Sequence, residues 1–134
     1  VTRDRIIQRI QDALSPDLID KHWQEQAKER PLHNYCYVAS EALYHAWGRA
    51  FGFKPAHIKV HIGHGTRCNH WLLRRGDEVL DITASQFGRV RIPYRKAINC
   101  GFLTGERPSN ACKEILRRIR IEPEYLANYR DEVK

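Results

Sequence analysis

Apolar positions along the chain fall first into a helical rhythm and then into a strand rhythm. Ile6, Ile7 and Ile10 share one face of residues 3–13, and Leu14 extends it, so an amphipathic helix is expected there. Ser15-Pro16-Asp17 supplies a cap, a proline for the first helical position and an acid for the first turn. That predicts a second helix running to about Glu29, stopped by Pro31. After the loop Leu32-His33-Asn34-Tyr35, the apolar, alanine-containing segment from Cys36 to His45 predicts a helix that ends by Gly48 or Gly52.

Beyond Pro55 the period changes. Ile58, Val60 and Ile62 alternate with His57, Lys59 and His61, the pattern of a half-buried strand. His64-Gly65-Thr66-Arg67 reads as a loop. Cys68 to Leu73 and Val79 to Thr83 read as a hairpin around a polar, glycine-containing turn, followed by a short turn Ala84-Ser85-Gln86-Phe87. Residues 88–104 are basic and irregular. Ser109 can cap a last substantial helix with Ala111, Ile115, Leu116 and Ile119 on its apolar face, and the tail after Pro123 suits one more short helix.

These elements predict an α+β fold in one domain of 134 residues, with a helical N-terminal extension over 1–32 and a core over 33–120. No stretch approaches the roughly 18 apolar residues that would span a membrane, so no membrane partner is expected. No apolar run follows the N-terminus, and a secretory leader is not expected. Cys36, Cys68, Cys100 and Cys112 match no paired-cysteine spacing, which suggests free thiols in a reducing, cytoplasmic compartment. Cys100 and Cys112 are expected to be small buried core residues.

The charge balance changes the list of partners. A net charge of +7 favours an anionic partner and keeps nucleic acid open. Arg74-Arg75, Arg89, Arg91, Arg95-Lys96, Lys113, Arg117, Arg118 and Arg120 are the residues that would meet phosphates. The simpler reading of the last helix is an amphipathic helix with a basic outer face. His61, His64, Cys68 and His70 are all of types that bind zinc, but their spacing fits no standard site, so no metal or other cofactor is expected.

The candidate chemistry lies in Cys36, His70 and Asp81. A thiol at a helix N-terminus meets the positive end of the helix dipole and unpaired backbone N–H groups, both of which favour thiolate. An imidazole can take the thiol proton, and a carboxylate can orient the imidazole. A two-residue turn at Arg75-Gly76 would place His70 directly opposite Asp81 on one face of the hairpin. Asn34, two residues before the thiol, is a candidate oxyanion donor, though an Asn there also suits a cap.

The segment Asn69-His70-Trp71-Leu72, with Asp81-Ile82-Thr83-Ala84-Ser85-Gln86-Phe87 after it, resembles a pattern of small papain-like or transglutaminase-like domains. It is similar to small bacterial and phage proteins of the YunG-like type. The resemblance covers about residues 33–120. It implies a Cys-bearing central helix packed on a small antiparallel sheet, with Cys36 as nucleophile, His70 as base and Asp81 as orienting acid. The implied activity is that of a cysteine hydrolase, peptidase-like, or of a transglutaminase-like acyltransferase, on an amide, isopeptide or related acyl bond in a protein or small acyl substrate. The alternative is a non-catalytic basic module that binds nucleic acid or an acidic protein on the same fold.

Overall fold

A computed structural model describes residues 2–19, 35–63 and 66–119. Helix α1 (Arg3–Ala13) starts on Thr2, whose hydroxyl accepts from the Arg5 amide at 3.3 Å. Its Ile6 and Ile10 are fully buried, as the helical spacing requires. Pro16–Leu18 forms only a single 3-10 turn. The helix expected onward to Glu29 and the helix expected after Pro123 lie outside the described residues.

Helix α2 (Cys36–Ala46) is the central element. It is buried nearly all round, with only Tyr37 and His45 partly exposed, so it needs cover on every side. That cover comes from α1, from α3 (Asn110–Ile119) and from the sheet. Ser109 caps α3, its hydroxyl accepting from the Cys112 amide at 3.2 Å. Cys112, Ile115 and Ile119 form the buried face, flanked by the half-buried Ala111 and Leu116. Arg118 ties α3 back to the end of α1, donating to the Ala13 carbonyl at 2.9 Å and to Asp17 at 2.6 Å.

The strands among the described residues are β1 (Lys54–Gly63), β2 (Thr66–Arg75), β3 (Glu78–Leu80) and β4 (Ile98–Asn99). They form one antiparallel sheet in the order β3-β2-β1-β4. The described chain is therefore a mixed helix-and-sheet structure of the α+β kind.

Alternation along β1 and β2 gives the sheet two differently covered faces. Trp71 and Leu73 point to the layer of α2, where Leu73 joins Ala42, Leu43 and Phe53 in the larger core. The approach is close: a β-carbon on Gly48, just past α2, would stand 2.8 Å from Leu73 Cδ1. Ala56, Ile58, Val60 and Leu72 point the other way and pack under Phe87 and Ala97 from the segment after β3. Burial of Ile58 and Val60 with exposure of Lys59 and His61 agrees with the expected alternation.

Two expectations are corrected. The hairpin turns at Gly76-Asp77 and not at Arg75-Gly76, because Arg75 pairs with Glu78 and Leu73 with Leu80. Gly76 adopts φ +56°, the left-handed backbone that a tight hairpin needs at its first central position, and an Arg75–Glu78 ion pair closes the turn at 2.8 Å. Cys100 is exposed rather than buried, because it follows the two-residue edge strand β4 beyond the packed face. Cys112 is buried as expected, and all four thiols are free.

Candidate functional site

His70 lies in the middle of β2, fully buried, and its side chain shares a face with Leu72. With the turn at Gly76-Asp77 the position opposite Asp81 is Leu72, not His70. The two-residue slip keeps every side chain on its face, so Asp81 becomes a diagonal neighbour of His70. It leaves the end of β3 and reaches back, with Oδ2 at 2.7 Å from His70 Nε2. The Asp81 side chain is itself only 4% exposed. Tyr94 donates its hydroxyl to the same Oδ2 at 2.8 Å. Burial, and then the Asp81 carboxylate, push the Tyr94 phenol far above its usual range, so it remains a donor.

The other ring nitrogen of His70 is also engaged. The Gln86 amide nitrogen stands 3.1 Å from His70 Nδ1. An amide nitrogen can only donate, so Nδ1 accepts and the ring proton sits on Nε2, facing Asp81. This is the tautomer in which a general base presents its lone pair through Nδ1. Phe87 meets the His70 ring edge-on at 4.7 Å.

Cys36 is the first residue of α2 and only 6% exposed. Its sulfur meets the β2 backbone beside His70, donating to the Asn69 carbonyl at 3.8 Å, and the Trp71 amide favours its thiolate. The Tyr37 amide, in the first turn of α2, favours the thiolate more weakly. Burial outweighs these amides, and the nearby Cys68 and Asp81 oppose ionisation as well, so the thiol is pushed up to about 11. The Cys68 thiol shares the Asn69 carbonyl at 3.5 Å and is likewise pushed up by burial.

The site residues therefore come together in part. His70 and Asp81 are directly bonded, and Cys36 stands against the backbone that carries His70, but no hydrogen bond joins its sulfur to the imidazole. The reason lies in the layering: α2 covers the Trp71 face of β2, while the His70 ring turns to the opposite face. Asn34, the candidate oxyanion donor, lies outside the described residues.

The zinc-type set from the sequence separates for the same reason. His61 alternates onto the face opposite Cys68 and His70, and both His70 nitrogens already have partners. His64 lies outside the described residues.

Gln86 and Tyr94 are the functional candidates that sequence reasoning missed. Gln86 stands in the Asp81–Phe87 motif, but nothing in spacing alone pairs it with a histidine on another element. Tyr94 lies in the basic, irregular segment, which gives no period from which to place it.

Most basic residues of α3 are internally paired: Arg117 and Arg118 hold Glu114, at 2.5 and 3.1 Å, and Arg118 also holds Asp17. Arg89, Arg91, Arg95 and Lys96 are exposed and carry no ion pair among the described residues. No helix among the described residues is long and apolar enough to cross a membrane.

Compared with protein-family models, curated proteins and solved structures, the chain gives no match.

Proposed function

We propose that this chain is a thiol-dependent hydrolase or acyltransferase acting on an amide, isopeptide or related acyl bond, built on a papain-like or transglutaminase-like core. The observation that carries the reading is the buried His70–Asp81 pair at 2.7 Å, with the Cys36 sulfur on the backbone flanking His70. A histidine and a carboxylate in this tautomer orient a base and stabilise the imidazolium that forms when it takes a proton.

In this reading the resting site is closed. The Cys36 thiol is neutral and rests on the Asn69 carbonyl, and the Gln86 amide occupies Nδ1. Acylation requires Gln86 to leave Nδ1 and the first turn of α2 to shift, so that the thiol passes the β2 backbone and meets the imidazole. The S–H proton then passes to Nδ1 as the sulfur bonds to the acyl carbon. Collapse of the tetrahedral intermediate breaks the bond to the leaving amine, which takes the proton from His70 and leaves a thioester on Cys36. Water or a second amine, deprotonated by His70, attacks the thioester; the C–S bond breaks, the acyl group leaves, and the Cys36 sulfur takes the proton back from His70. The backbone amides of Tyr37 and Trp71, which favour the thiolate of Cys36, are the candidate donors to an oxyanion at the reacting centre.

A specific observation favours the second reading, a basic binding module without turnover. Both His70 nitrogens are satisfied and Cys36 is held as a neutral thiol, while four exposed cations, without an ion pair among the described residues, line the segment from Arg89 to Lys96.

An activated acyl ester and a salt series separate the two. The enzyme reading expects a thioester mass on Cys36 that turns over. The binding reading expects no such adduct, together with retention of a nucleic acid or acidic peptide that weakens steeply as salt rises.

A further inference from the structure

Away from the His70–Asp81 pair, a second cluster of reactive side chains joins two helices. Glu41 and His45 stand four residues apart on α2, and so share one face. That face meets the first turn of α3, which presents Cys112. One donor atom each from Glu41, His45 and Cys112 lies within 4.8 Å of the other two.

The surroundings of the three residues are uneven in an informative way. Glu41 is fully buried, and its carboxylate is held in place by the Ser109 amide at 2.7 Å and the Ser109 hydroxyl at 2.6 Å. Cys112 is fully buried beside it. His45 Nε2 is buried with no hydrogen-bond partner among the described residues. Capping α3 accounts for Glu41 and packing accounts for Cys112, but neither accounts for a buried nitrogen without a partner among the described residues on an imidazole beside a carboxylate and a thiol.

We propose that Glu41, His45 and Cys112 form a binding site for a zinc-class divalent cation that braces α2 against α3. A thiolate, an imidazole and a carboxylate are all zinc ligands, and three from the protein leave one tetrahedral position for water. Ligand atoms around a tetrahedral zinc stand about 3.3–3.8 Å apart, so the three side chains have to close by roughly 1 Å. Side-chain rotation on two packed helices supplies a movement of that size. Ser109 then acts as the outer partner that orients the Glu41 carboxylate. Binding converts the Cys112 thiol to a zinc thiolate and releases its proton to solvent. The cation balances the two anionic ligands, and a ring nitrogen of His45 becomes the third ligand. The site stands apart from the proposed thiol chemistry and does not rest on it.

Zinc(II) and cobalt(II) titrations of the full chain, carrying no metal-affinity tag and freed of metal by chelator, test the proposal. The expected result is about one equivalent bound, with a thiolate-to-metal charge-transfer band for cobalt and a thermal midpoint raised by zinc. His45→Gln, at a half-buried position, should weaken binding roughly tenfold or more while the chain stays folded, and Cys112→Ser should abolish the cobalt band. Folded protein that takes up neither ion at micromolar concentration overturns the site and leaves Glu41 as a helix cap. Binding that survives unchanged in both variants also overturns it, since the ion then sits on other residues.

Discussion

The imidazole of His70 and the carboxylate of Asp81 are bonded at 2.7 Å although their positions are not paired across the hairpin. Asp81 reaches His70 from just past the end of β3, and Tyr94 holds the same carboxylate oxygen from the opposite layer. Replacing Asp81 by Ala leaves both the His70 N–H and the Tyr94 hydroxyl without their acceptor in a buried site. We expect a loss of about 2–4 kcal/mol in urea unfolding, and about 1–2 kcal/mol for Tyr94→Phe, which removes only one bond to the carboxylate. Equal stability of all three proteins would contradict this account of the pair.

Asp81→Asn separates orientation from packing. The amide keeps the shape but loses the negative charge that supports an imidazolium. Cys36 acylation by an activated ester should fall by about 10²–10⁴-fold while the fold persists by circular dichroism. A wild-type rate in the folded variant would remove Asp81 from the chemistry.

Gln86 occupies the nitrogen that the proposed base has to free. Gln86→Leu removes the donor and keeps an apolar side chain beside Phe87. One such hydrogen bond contributes about 1 kcal/mol, so the open form and the Cys36 acylation rate should rise by up to about fivefold. A fall in rate would instead make Gln86 a required donor in the reaction.

Alkaline pH tests the buried thiol. Burial lifts Cys36 from the ordinary thiol value of 9.0 to about 11. Between these values the folded chain holds a proton that the unfolded chain has released, so stability falls as pH rises. The contribution is fully present below about pH 9 and is lost by about pH 11, on the order of 2–3 kcal/mol. Urea unfolding between pH 8 and 11.5, a range wide enough to bracket the shift, should show a shallower decline in Cys36→Ala (window about 9–11). Identical slopes in the two proteins would contradict the burial of this thiol.

Local rules made much of this architecture legible. The Ile6/Ile10 spacing, the Ser109 cap, the apolar run from Cys36 and the alternation over Ile58 and Val60 each follow from side-chain period or capping chemistry. The hairpin was legible to its face but not to its register, since only the backbone of Gly76 decides which two residues turn. A slip of two residues kept His70 and Asp81 on one side, so their pairing survived. The layer on which α2 would settle was not legible. It depends on Trp71, Leu73 and Gly48 meeting a helix distant in sequence, and it sets the sulfur of Cys36 beside the backbone of His70 rather than its ring. Gln86 and Tyr94 escaped for the same reason: their roles exist only once the segment after β3 folds over the buried face of the sheet.

The most direct test of the central claim is the rate at which Cys36 itself is acylated by 4-nitrophenyl acetate near neutral pH, followed by mass spectrometry resolved to each cysteine. The account predicts a thioester on Cys36 in the native chain and a fall of roughly 10² or more in that rate in His70→Ala, with Cys100 acylation unchanged. Equal Cys36 rates in the two folded proteins, or acyl groups on Cys100 alone, would contradict it.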